Sequence, residues 1–257
     1  MDLDLIFLKE CGNSDLKDLA DCIIHEKGEE REERINQRLS KKKKFKDSVA
    51  AGLLPDAVEL IVDEYLRYGG STFTNIFRGH GVSYREILKD ICSNLGVYSP
   101  KGLPVITIER NLILRLMEFR LSKMDEKEVK ELYDQWCKDS VLYSASSPDD
   151  YKDCIIGYAM SYQNFSKDTM RYIINELRKY LESDSKDNWI LSCLKEIQRP
   201  HINKETLINA PKNIASMGLA HVDGPAFRVT FPCTLYIIYM RQKYYASQRK
   251  EMGTNNK

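Results

Sequence analysis

Residues 78–81 read Arg-Gly-His-Gly and stand one residue ahead of SYREILKDIC, a stretch with helical apolar spacing. Those residue types in that order can hold an anion. The first backbone N–H groups of a helix have no partner within it, and glycine lets a ligand approach the backbone closely. Arg78 and His80 can each add positive charge. Arg78, Gly79, His80 and Gly81 are therefore a candidate ligand or interaction site, joined by Tyr84 and Arg85 on the first turn that follows. The same residues also make a plain inter-helix turn, with Arg78 paired to an acid such as Asp63 or Glu64. The turn ranks first and the anion site second, because helix N-termini favour anions by default and most hold no ligand. The spacing is not that of a Walker loop, which ends in Gly-Lys-Ser/Thr.

A second place to look is Gly224-Pro225-Ala226-Phe227-Arg228, where Arg228 can pair with an acid, cap a helix or join Arg78 at one site. Other chemistry is poorly supported. Cys11, Cys22 and His25 share a region without a recognised ligand spacing, and His201 and His221 stand alone, so no metal or cofactor is expected. There is no Gly-x-Ser-x-Gly elbow and no cysteine with a local histidine partner. Asp63 and Glu64 are helix neighbours about 100° apart, a poor arrangement for sharing a proton.

Helices must position these residues. Leu16, Leu19, Ala20, Ile23 and Ile24 form one stripe behind Ser14, read as its cap. EEREERINQRL reads as an exposed, ion-paired helix. Ala57, Val58, Ile61, Tyr65 and Tyr68 keep helical period until Gly69-Gly70 end the element. Residues 71–77 fit a short helix. Ser83 and Glu86 have capping-box spacing for a helix bearing Tyr84, Ile87, Leu88, Ile91 and Cys92, stopped by Gly96. Further helices are expected over 105–123, 124–139, 167–182 and from Trp189 to Ile197, while 151–165 is weakly patterned. Pro232 opens CTLYIIYM, apolar on nearly every side, which is the mark of a buried bundle centre. An interfacial helix is the alternative, with Arg241, Lys243, Arg249 and Lys250 meeting anionic lipid.

The class expected is mainly α, a multi-helix globular bundle with a small helical N-terminal module. Its parts are residues 1–46 with a basic linker, a central helical core over 52–140, and a C-terminal helical region over 148–257 beyond the polar hinge SASSPDD. With 42% hydrophobic and 30% charged residues the chain has the composition of a globular protein. A net charge of +1, from 39 basic and 38 acidic residues, argues against a dedicated nucleic-acid binder. The seven scattered cysteines and the acidic N-terminus suit reduced thiols in the cytoplasm. Lys41, Lys42, Lys43, Lys44 and Lys46 form a local basic run. It reads first as a solvated linker, and otherwise as a weak contact for RNA or an anionic membrane, peripheral at that surface.

DLDLIFLKEC with LADCIIHEKG, EYLRYGGSTFTNIFRGHGVSYREILKDIC, and GPAFRVTFPCTLYIIYMRQK resemble the YaaW-like family of uncharacterised bacterial proteins. That family is grouped distantly with the mitochondrial ubiquinol–cytochrome c chaperones. The resemblance covers the first ~140 residues and resumes near 218. It implies no enzymatic activity, since the mitochondrial relatives assist assembly of a respiratory complex. The chain departs from some YaaW-like proteins by lacking a longer glycine-rich apolar segment before RVT, and it shows no mitochondrial presequence.

The expected function is that of a non-enzymatic helical protein that binds another protein, chaperone- or assembly-factor-like. The alternative is an enzyme or sensor holding a phosphate-bearing ligand at the Arg78–Gly81 turn.

Overall fold

The computed structural model describes residues 1–24, 38–70, 82–160, 166–182, 189 and 225–254. Among them the architecture is mainly α, with no strand. The helices are α1 (Asn13–Ile24), α2 (Lys43–Ala51), α3 (Val58–Gly70), α4 (Tyr84–Asn94), α5 (Val105–Lys123), α6 (Glu126–Trp136), α7 (Tyr151–Met160), α8 (Lys167–Glu182) and α9 (Pro225–Thr254). Short 3-10 turns span Leu3–Glu10, Leu54–Ala57 and Pro148–Asp150. The expected helices at 29–39, 71–77 and 189–197 fall largely or wholly outside the described residues. Two compact units result, one of Met1–Asn94 with Leu194–Lys257 and one of Leu95–Cys193.

The first unit is built on α9. Val229, Phe231, Cys233, Leu235, Ile237, Ile238 and Met240 are all buried, which makes this segment core rather than interfacial. Around it pack α1, α3, α4 and the Leu3–Glu10 turn. Pro232 does not open the helix, as the sequence suggested, but lies inside it. Proline there lacks the N–H that would reach the carbonyl of Arg228. Two residues on, Thr234 Oγ1 donates to the Thr230 carbonyl at 2.7 Å. Since a hydroxyl has one hydrogen, the 2.8 Å bond between Thr234 and Tyr65 must run from the tyrosine Oη to the threonine oxygen. This ties α3 to α9 in a fully buried setting.

Several expectations about helix ends are corrected. Ser14 lies inside α1, whose first residue is Asn13, and the Asn13 side chain accepts from the Leu54 N–H at 2.8 Å. Gly69 and Gly70 do end the described α3, as expected, with Gly69 still helical. A β-carbon at Gly69 would collide with the side chains of Ile87 and Val82, so the absence of one lets them pack against α3. The basic run is not a linker: Lys43 to Lys46 form the first turn of α2, with Phe45 buried. Ser83 and Glu86 do form the reciprocal cap of α4, at 2.8 Å for Ser83 N–H to Oε2 and 3.3 Å for Glu86 N–H to Oγ.

The second unit is packed through aromatic rings. Trp136 of α6 meets Tyr172 of α8 edge-on at 5.7 Å and Tyr158 of α7 at 6.1 Å, while Tyr133 stacks on Tyr151 at 4.6 Å. Arg120 of α5 donates to Tyr172 Oη at 2.9 Å and to Glu128 at 3.2 Å. Asp125 and Glu128 form a capping box that starts α6, fixing where Trp136 falls. Residues 151–165, weakly patterned in sequence, include α7; it holds its place by burying Ile155 and Ala159.

Candidate functional site

Arg78, Gly79, His80 and Gly81 lie outside the described residues. Arg228 falls in the first turn of α9, and its side chain is likewise outside them. Tyr84 and Arg85 are described, and they sit at a polar junction within the first unit.

That junction is assembled from three distant stretches. Asp2 accepts from two backbone N–H groups, Asp4 through Oδ1 and Tyr84 through Oδ2, each at 2.8 Å. One carboxylate thereby caps both the Leu3–Glu10 turn and α4. This follows from elementary chemistry: a helix start offers unpaired N–H donors and a positive dipole end, and an acid satisfies both. The Tyr84 ring is fully buried, 6.3 Å from that of Tyr65. Arg85 stays half exposed, with its Nε 3.9 Å from the Asp4 carboxylate.

The third contributor is Arg241 of α9. It is buried, donates to the Asp4 carbonyl at 2.7 Å, and lays its guanidinium 4.2 Å from the Phe7 ring centre and 5.8 Å from that of Tyr84. A planar guanidinium can do this where an ammonium cannot, because it stacks on rings while its edge N–H groups donate. The sequence suggested a buried segment first and, as the alternative, an interfacial helix with Arg241 facing lipid. The available signal was an arginine closing the apolar run CTLYIIYM. Lys243, two residues on, does reach outward, and it pairs with Asp15 of α1 at 2.7 Å.

With Asp2 and Glu86 in place, the N–H groups of Ser83, Tyr84 and Glu86 at the start of α4 are already bonded within the chain. The junction holds its own anion. Glu64, named as a partner for Arg78, is buried in α3 with Lys42 at 3.8 Å, and its Oε2 makes no hydrogen bond to a described residue. Burial holds the Glu64 carboxyl above the usual range, opposed by Lys42 and Arg38.

Burial also pushes the thiols of Cys92 and Cys137 up to about 12 and that of Cys11 to about 11. These thiols stay protonated at neutral pH and are poor nucleophiles. No described helix is long and apolar enough to cross a membrane.

Comparison with known proteins falls on the same segments. A family model for a domain of unknown function, DUF3944, matches residues 1–31, the stretch that supplies Asp2, Asp4, Phe7 and Asp15. Over 252 residues, 96% of this chain and 97% of the relative, the chain is 25% identical to UPF0174 protein YaaW of Escherichia coli strain K12. A UPF0174 protein of Helicobacter pylori strain J99 is 36% identical over 137 residues, covering 52% of this chain and 51% of that one. A second H. pylori UPF0174 protein is 42% identical over 74 residues, 29% of this chain and 35% of the relative. The matched stretches thus span about half or less of the H. pylori relatives. No solved structure matches the chain. The chain is similar to UPF0174 proteins, to YaaW over nearly the whole of both chains, and the similarity brings no stated activity with it.

Proposed function

We propose that this is a YaaW-like protein that works by binding another protein, assisting it in the manner of an assembly factor, and that it turns over no substrate. The observation that carries this reading is the loop after α6. Val141 and Leu142 are 94% and 84% exposed, side by side. Two adjacent aliphatic side chains in water forgo roughly 1.5–3 kcal/mol each of burial. The loop is also pinned. The Ser140 N–H bonds the Cys137 carbonyl at 2.8 Å, and the Ala145 N–H bonds Tyr133 Oη at 2.8 Å. Between them Tyr143 packs edge-on against Tyr158 and lies over Gly157, where a β-carbon would meet its ring. A pinned loop with an apolar tip presents a ready-made contact and loses little entropy on binding.

The test is photocrosslinking inside cells, with a photoreactive residue at position 142 and, as a control, at the exposed Asp149. Discrete protein adducts from position 142, absent from position 149 and lost when Val141 is changed to Asp, are the expected result. Equal or absent labelling at the two positions would sink the reading. The phosphate-ligand alternative has no observation in its favour, since the described N–H groups at the start of α4 are bonded to Asp2, Ser83 and Glu86.

A further inference from the structure

We infer that the outer face of α2 is a docking surface for an anionic lipid bilayer. It is a different surface from the Val141–Leu142 loop, and the inference does not rest on that reading. Helix α2 turns Phe45 and Ser48 into the core and leaves Lys43, Lys44 and Lys46 exposed, with Lys41 exposed just ahead of them. Lys42 is the exception, directed to Glu64. The first turn contains no acid, the N-cap Lys42 makes no side-chain capping bond, and Asp47 is the sole acid of the helix. The positive end of the helix dipole therefore adds to the lysine charge instead of being cancelled by a cap.

At its other end α2 becomes apolar. Gly52, at φ +67°, closes the helix with its N–H on Val49, and the Leu53 N–H returns to the Ser48 carbonyl at 2.8 Å. This Schellman closure fixes Leu53 beside the last turn. Val49 and Leu53 are 44% and 54% exposed. Lysines that reach headgroup phosphates together with aliphatic side chains that enter the acyl boundary are what an anionic membrane surface takes up.

RNA offers the same phosphate charge, but two features disfavour it. Single-stranded RNA is held by aromatic rings on which bases stack, and the one aromatic of this run, Phe45, is in the core. Val49 and Leu53 would meet nothing in RNA that rewards their exposure.

The test is flotation of the purified 257-residue chain with vesicles of phosphatidylcholine alone or mixed with phosphatidylglycerol. The protein should float with the anionic vesicles only, and less at raised ionic strength. Each lysine near such a surface changes partitioning by roughly fivefold, so K43Q/K44Q/K46Q should lower it by about a hundredfold. These three side chains are exposed, and unchanged circular dichroism shows that the variant folds. Leu53→Asp should weaken flotation with all lysines intact. Equal flotation on neutral vesicles, full flotation of the triple variant, or binding to single-stranded RNA without binding to phosphatidylglycerol vesicles would each overturn the inference.

Discussion

The two units are held together in opposite ways. The first is closed by polar bonds between remote stretches, part-buried for Tyr84 to Asp2 and Arg241 to Asp4 and fully buried for Tyr65 to Thr234. The second is closed by rings from helices that follow one another in the chain, with Trp136 at the centre of Tyr158 and Tyr172. Aromatic packing contributes a large, diffuse term, while each polar bond contributes little but tolerates one geometry only. The contrast teaches where specificity resides. In the second unit it is spread over a surface, and in the first it is concentrated in a few atoms.

The largest effect should come from removing the aromatic centre. Trp136→Ala should cost about 3–5 kcal/mol in urea unfolding, with hydrogen-exchange protection lost across α6, α7 and α8. A loss of under 1 kcal/mol would show that the rings share the load and that Trp136 is no centre.

Arg241→Met comes next, at about 2–3 kcal/mol, because it removes a charge-assisted bond and leaves the Asp4 carbonyl without that donor. Arg241→Lys should recover less than half of it, since an ammonium cannot stack on Phe7 and donate from its edge at once. Full recovery by lysine would mean that charge alone matters there, which would blunt the contrast in geometry.

The smallest effect sharpens the comparison through pH. The Glu64 carboxyl is held above its ordinary value, so between its unfolded and folded values the folded state binds more protons than the unfolded one. The stability tied to its protonated form is complete below the ordinary glutamate range and is lost as pH rises through the raised value. Glu64→Gln should flatten that part of the stability–pH curve. A curve unchanged in the variant would show that Lys42 compensates the buried charge fully.

Much of this fold was legible in the sequence for one reason: apolar spacing reports which side of a helix is buried. It places Val105–Lys123 and Lys167–Glu182 at their observed bounds, and capping chemistry places the start of α4 at Ser83 and Glu86. It is silent about which faces meet. That Asp2 caps a helix 82 positions away depends on tertiary pairing, to which no local pattern points. Arg241 entered only the interfacial alternative for a related reason. An arginine after an apolar run reads as the point where a helix leaves the core, yet here rings and a carbonyl are arranged to keep the cation inside. Gly69 and Gly70 end the described α3 as their spacing predicts, but that Gly69 also makes room for Ile87 depends on tertiary packing. The Arg78–Gly81 turn gains from the structure only its flank: a helix start already supplied with an acid.

The bond between Arg241 and Asp4 joins positions 237 residues apart, which also sets an order of events during synthesis. At roughly 5–20 residues per second, the first ten residues wait about 10–50 s for the arginine that will hold them. All of the second unit is synthesised within that interval, so its helices can pack before the first unit can close. Leu5, Phe7 and Leu8, each buried at the end, can meet α3 and α4 early but lack the α9 part of their packing until it emerges.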